Sequence, residues 1–138
     1  MSSEKSAIDI IQTAFAWFND VGAGRTPLTR EAVALHFHPE ASIMIDTEMK
    51  GVGAEGMYLR FKEMQEKLEH WEATQPFDVC LTDGDKAAGH YQYRFTDKQG
   101  GQGVIDIVSI WSVRDGKVYR TIENATYMGA EILLATHG

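Results

Sequence analysis

Residues Val104–Tyr127 read VIDIVSIWSVRDGKVYRTIENATY. Two runs rich in β-branched and aromatic residues flank Asp115–Gly116, a pair that readily takes the positive φ angles of a tight hairpin turn. The first run, Val104 to Val113, is the least polar strand of the chain, and the second, Val118 to Tyr127, must pack beside it. Working backwards, a Gly-rich tip at Gln99 to Gly103 precedes Gly89, Tyr91, Tyr93 and Phe95, which alternate with His90, Gln92 and Arg94. Before that, Asp83–Gly84 turns the chain, and Phe77, Val79 and Leu81 alternate with Asp78, Cys80 and Thr82. Strands linked by hairpin turns pair antiparallel, so the second half predicts an antiparallel sheet of three or four strands.

The first half has a helical period. From Ser6 to Val21, the residues Ala7, Ile8, Ile11, Ala14, Phe15, Phe18 and Val21 share one broad face, with Ser2 or Ser3 as cap and Gly22 and Gly24 as terminators. Thr26–Pro27 opens a short second helix that sets Val33 and Phe37 one turn apart, and Pro39 stops it. Ser42 to Asp46 reads as a strand. After Gly51 and Gly53, a third helix carries Met57, Phe61, Met64, Leu68 and Trp71 at helical spacing, opposite Lys62, Glu63, Glu66 and Lys67. The order α-α-β-α-β-β-β-β defines an α+β protein, one domain over residues 1–138 without repeat or linker.

Charge narrows the function. Twenty acidic against 13 basic side chains give a formal net charge of −7 over 138 residues, the opposite of a phosphate-binding surface, so no nucleic acid is expected. No apolar run approaches the ~20 residues of a membrane span, and Glu4 and Asp9 interrupt the start where a signal peptide would be apolar. The single Cys80 is read as a small core residue of a cytoplasmic protein. Gly51, Gly53 and Gly56 spell a dinucleotide fingerprint, but hairpins follow where a parallel βαβ unit is required, so they are read as turn and helix-entry glycines. His36 and His38 point to different sides of a helix and have no ligand cluster near them. Asn124-Ala125-Thr126 is a glycosylation sequon only by spelling, since it lies within a strand. No metal and no cofactor are expected.

Glu123 is the residue with chemical promise. Against an apolar wall a carboxylate loses hydration, its pKa rises, and it becomes an acid or base near neutrality. On the outer face it would instead be solvated, or paired with Arg120 or Arg94.

Several strings in this order resemble the SnoaL-like families of the nuclear transport factor 2-like superfamily. They are Leu35-His36-Phe37-His38-Pro39-Glu40-Ala41 before the first strand, Gly53-Ala54-Glu55-Gly56 entering the third helix, and Trp111-Ser112-Val113-Arg114-Asp115-Gly116-Lys117-Val118 at the last hairpin. The resemblance covers about residues 5–128, leaving 129–138 as a tail. It implies a cone, with a curved antiparallel sheet packed on three helices around an apolar cavity, and a homodimer through the sheet. The superfamily spans isomerases, dehydratases, epoxide hydrolases, polyketide cyclases and binders, so function must come from the site. The ketosteroid isomerase base falls on Ile45, the oxyanion acid on Ser109 and its tyrosine partner on Phe15, which speaks against that activity. The epoxide hydrolase last-strand carboxylate falls on Glu123. The middle-strand Arg-x-Asp of those enzymes falls on His90-x-Gln92, or on Tyr91 and Tyr93 if the Gly-rich loop carries a one-residue gap.

The turn at Asp115–Gly116 decides what faces Glu123. A two-residue turn pairs it with Val108 and brings Asp106 to its face. A three-residue turn with Gly116 as a bulge groups it with Ile105, Ile107, Ser109 and Trp111, and the resemblance favours this version. The expected protein is then a cofactor-independent acid–base enzyme acting on a small apolar molecule, of isomerase, dehydratase/cyclase or hydrolase type. Glu123 is the proposed acid or base, and Ser109, Tyr91 and Tyr93 the hydrogen-bond donors. Phe15, Phe18, Phe37, Ile43, Ile45, Met57, Phe61, Met64, Ile107 and Trp111 are expected to line the pocket. The alternative is a non-catalytic ligand binder or dimeric scaffold. Whether Asp46, His90 or Asp106 reach the pocket is left open at this level.

Overall fold

The computed structural model describes residues 6–128, so Ser2, Ser3 and the 129–138 tail lie outside the described residues. Helix α1 (Ala7–Gly22) starts at Ser6, whose hydroxyl accepts a hydrogen bond from the Asp9 amide at 3.3 Å. Helix α2 (Arg30–His36) starts later than Thr26–Pro27, because Thr29 supplies the cap and accepts from the Ala32 amide at 3.1 Å. It passes directly into strand β1 (Phe37–Ile45), so Pro39 is a strand residue and not a helix stop. Proline is accommodated there because the pairing of β1 with the last strand is interrupted between Phe37 and Ser42.

Two short strands were not foreseen. Strand β2 (Glu48–Val52) folds back on β1 through Asp46 and Thr47, both at positive φ. Helix α3 (Gly53–Lys67) follows at once, and the chain then extends as β3 (Leu68–Ala73). Leu68 and Trp71, expected on the third helix, therefore belong to a strand. Gly53 makes the sharp β2–α3 turn at φ 79°, while a side chain on Gly51 would press on Met57 Cε at 3.0 Å and Ile43 Cγ2 at 3.3 Å. These glycines serve turn geometry and packing.

Strand β4 (Val79–Asp83) pairs with the first half of β5 (Lys86–Asp97), and β3 pairs with the second half. With β6 (Gln102–Arg114) and β7 (Lys117–Tyr127), the sheet order is β2-β1-β7-β6-β5-β3. The sheet is mixed rather than wholly antiparallel, because β1 and β7 run parallel and set Ile43 beside Thr121 and Ile45 beside Glu123. Only hairpin-linked neighbours are obliged to pair antiparallel, and these two strands are joined through most of the chain. The result is the expected α+β cone of three helices on a curled sheet. Cys80 is exposed, not core, since β4 forms an outer corner of the sheet and all its residues face solvent. Among the described residues no helix is long and apolar enough to cross a membrane.

Two apolar clusters close the fold. One joins α1 to β5, β6 and β7 through Ile11, Tyr91 and Trp111, and the other joins α2, α3 and β1 through Val33, Met57 and Phe61. Helix α1 is also fastened to β3. The Asn19 amide donates to the Ala73 carbonyl at 2.9 Å and its oxygen accepts from the Ala73 amide at 2.8 Å, as a neighbouring strand would. Beside it, Trp71 Nε1 donates to the Phe18 carbonyl at 3.2 Å.

Candidate functional site

The β6–β7 hairpin places Glu123 by a route that combines both turn readings. Asp115 and Gly116 have φ 55° and 74°, and Arg114 pairs with Lys117, which is a two-residue turn. The register then shifts between Ser112 and Val113, leaving Tyr119 as the extra residue of a bulge in β7. The consequence is Ser109 opposite Glu123 and Trp111 opposite Thr121. Glu123 faces inwards with Ile105, Ile107 and Trp111, while Asp106 faces outwards.

A cavity of about 360 Å³ lies between the inner face of the sheet and helices α1 and α3. All ten apolar residues named from the sequence line it, together with Tyr91, Tyr93 and Glu123. Phe77, itself off the cavity wall, stacks against two wall residues, Tyr91 (ring centroids 4.8 Å apart) and Trp111 (5.4 Å). Phe15 meets this stack edge-on, 5.1 Å from Tyr91 and 5.7 Å from Trp111. The stack needs Gly89, whose Cβ would meet Phe77 at 3.0 Å and Trp111 at 3.1 Å.

Glu123 is 9% exposed. Among the described residues its carboxyl receives one hydrogen bond, from the Tyr91 hydroxyl at 3.4 Å, which is long for an O–H donor. Burial without compensating donors disfavours the carboxylate and lifts its pKa to about 7; the Arg60 charge and the Tyr91 hydrogen bond oppose this, and Asp46 adds to it. Burial also raises both tyrosines, Tyr91 and Tyr93, so they stay protonated and can donate. Ser109 is fully buried behind Tyr91, with its hydroxyl 3.4 Å from the tyrosine oxygen, and is not on the cavity wall.

Asp46 reaches β7 from the end of β1, where its carboxylate accepts from the Ala125 amide at 2.9 Å, outside the cavity. His90 is on the outer face between two carboxylates, 3.1 Å from Asp78 and 3.0 Å from Asp106, which raise its pKa, Asp106 more than Asp78. Neither His90 nor Asp106 lines the cavity. Among the described residues no three His, Cys, Asp or Glu side chains converge as a metal site would require.

Arg60 is the wall residue that sequence reasoning missed. A signal was present: it follows Met57 by three positions and precedes Met64 by four, so it shares their helix face. Glu63 and Lys67, read as a solvated face, stand at the cavity rim and pair with each other at 3.0 Å.

The arrangement is a largely apolar cone whose wall carries one buried carboxyl, two phenolic hydroxyls and one guanidinium. Its fold is that of the nuclear transport factor 2-like proteins. TerC, co-crystallised with polyporic acid, is 19% identical over 95% of each chain, with a TM-score of 0.69. An LEH-like epoxide hydrolase of M. tuberculosis is 12% identical over 87% of this chain and 82% of its own, with a TM-score of 0.68. An NTF2-like protein of unknown function from Burkholderia pseudomallei is 12% identical over 95% of this chain and 97% of its own, also with a TM-score of 0.68. At these identities the likeness establishes the fold. In sequence, neither a family model nor a curated protein matches the chain.

Proposed function

We propose that the protein is a cofactor-independent acid–base enzyme for a small apolar molecule, with Glu123 as the group that takes and returns the proton. One observation carries this reading: a carboxyl buried in an apolar cavity, poised near pH 7 and held by one long hydrogen bond. Tyr91 and Tyr93 are the donors to a developing oxyanion or to a positioned water, and Ser109 acts through Tyr91 by fixing its hydroxyl. Proton abstraction next to a carbonyl, dehydration and water addition are the reactions this set can run. Relatives of the same fold described as an epoxide hydrolase, or co-crystallised with polyporic acid, support small-molecule chemistry in such a cavity.

The test needs no knowledge of the natural substrate. 5-Nitrobenzisoxazole is small, flat and apolar, and a carboxylate that removes its ring C–H proton breaks the N–O bond to release a coloured cyanonitrophenolate. The expected rate rises with pH around an inflection near 7, and Glu123→Gln lowers it by about 100-fold. Equal rates in the two proteins would discard the assignment.

The lone carboxylate in the deep cavity also fits a binder, which would show saturable quenching of Trp111 fluorescence by an apolar ligand that is recovered unchanged.

We further propose a homodimer through the outer face of the sheet. Ile110 and Ile122 are directly paired there and half-exposed, with Val108 beside them, a strip of apolar surface costly to leave in water. Light scattering is expected to give twice the chain mass, and Ile110→Lys the single mass. A monomer at tens of micromolar native chain would contradict it. A single exposed cysteine is consistent with a reducing, cytoplasmic setting.

A further inference from the structure

The arginines of the described residues are almost all occupied. Arg25 pairs with Asp20 at 2.8 Å, Arg30 with Glu55 at 2.8 Å, and Arg94 donates to Gln92 at 3.4 Å. Arg114 and Arg120 stack over the Tyr119 ring at 3.9 Å and 4.9 Å. Arg60 has no such partner among the described residues. It is half-buried and lies on the wall of the cavity. The nearby acid on its own helix, Glu63, is engaged by Lys67 at 3.0 Å. Glu123 is not its partner either: among the described residues the Glu123 carboxyl is hydrogen-bonded by Tyr91 alone, and the Arg60 charge acts on it only from a distance.

A guanidinium at the edge of an apolar cavity, with its donors unspent, is suited to a planar oxyanion that can accept two parallel hydrogen bonds. We propose that Arg60 anchors an anionic head group, and that the site takes a small apolar carboxylate whose hydrocarbon body points inward towards Glu123. The placement of the reacting end rests on the acid–base reading of Glu123; the head-group anchor does not. The aromatic floor of Phe15, Tyr91 and Trp111 receives a flat or ring-bearing body, and the cavity is at the small end of the ~300–1,000 Å³ typical of ligand sites. Orientation follows from charge: of the two cationic side chains on the wall among the described residues, Lys67 is already paired with Glu63 and Arg60 is not, so the anion is drawn to Arg60 and the apolar end is left facing the carboxyl.

The probes are 2-naphthoate and its neutral isostere 2-naphthamide, titrated by calorimetry at pH 6, where Glu123 is mostly protonated and adds no negative charge to the cavity. The native chain is expected to bind the naphthoate about tenfold more tightly than the amide. Arg60→Gln is expected to erase that preference while still binding the amide, which shows that the cavity remains folded, and Arg60→Lys to keep part of it. Equal binding of the two probes by the native chain would overturn the proposal. So would a preference that survives in Arg60→Gln, or no binding of naphthoate at millimolar concentration. Failure here leaves the benzisoxazole result untouched, because that result is read as a rate on Glu123→Gln.

Discussion

Glu123→Gln is expected to make the protein more stable at pH 8, by about 3 kcal/mol, although it removes the group proposed for catalysis. The Glu123 carboxyl ionises near its ordinary 4.5 when the chain is unfolded and at about 7 when folded. Between those values the folded state holds a proton that the unfolded state has released, so stability falls as pH rises and levels off above 7. The gap is worth about 3 kcal/mol at 1.36 kcal/mol per unit. The full contribution is present below pH 4.5 and is lost once pH has passed 7. Glutamine fills the same volume, still accepts from Tyr91 and never ionises. The melting temperatures of the two proteins should therefore coincide near pH 4.5 and separate by about 10 °C at pH 8. His90, whose pKa is also raised, titrates alike in both proteins, so the difference isolates Glu123. A constant difference across this range would mean that the carboxyl is not desolvated, and the proposed function would lose its foundation.

Asn19→Leu is expected to cost about 4 kcal/mol. The substitution keeps the volume of a buried position but removes both hydrogen bonds that join α1 to β3. The Ala73 amide and carbonyl, on a residue that is fully buried, would be left without partners, at about 1–3 kcal/mol each. Asn19→Asp should cost less at low pH, because an oxygen still accepts from the Ala73 amide. It should cost more as pH rises, because a carboxylate then faces the Ala73 carbonyl. The joint also matters for the cavity, since α1 carries Phe15 and Phe18 into its wall. Urea unfolding checks the magnitude. A loss below 1 kcal/mol would show that water replaces the asparagine and that α1 is held by its apolar face alone.

Alternation in β5 to β7 was readable because each strand has one covered face, and a period of two admits few registers there. Helix α1 was readable for the same reason at a period of 3.6. Trp71 misled because it falls in phase with Met57, Phe61 and Met64, although Trp71 and Ala73 alternating with Glu72 carried the strand signal. Cys80 misled because an apolar alternation at the edge of a sheet looks the same as one beneath a helix layer. Arg60 escapes a reading by hydrophobic period because a charged residue carries no apolar signal, whereas an arginine stem can run along an apolar wall with its head at the opening.

By itself, the sequence determined the α+β order, the hairpins and the apolar faces of helices and strands, since these depend on local period and turn chemistry; the cavity and the place of Glu123 in it followed only from the resemblance to nuclear transport factor 2-like proteins. The tertiary structure alone decided the parallel β1–β7 pair, the bulge at Tyr119 that sets Ser109 opposite Glu123, the sealing of Ser109 behind Tyr91 and the meeting of Arg60 with the cavity. These depend on which distant segments become neighbours. That choice is made by the summed burial of both partners, a quantity that no single stretch of chain contains.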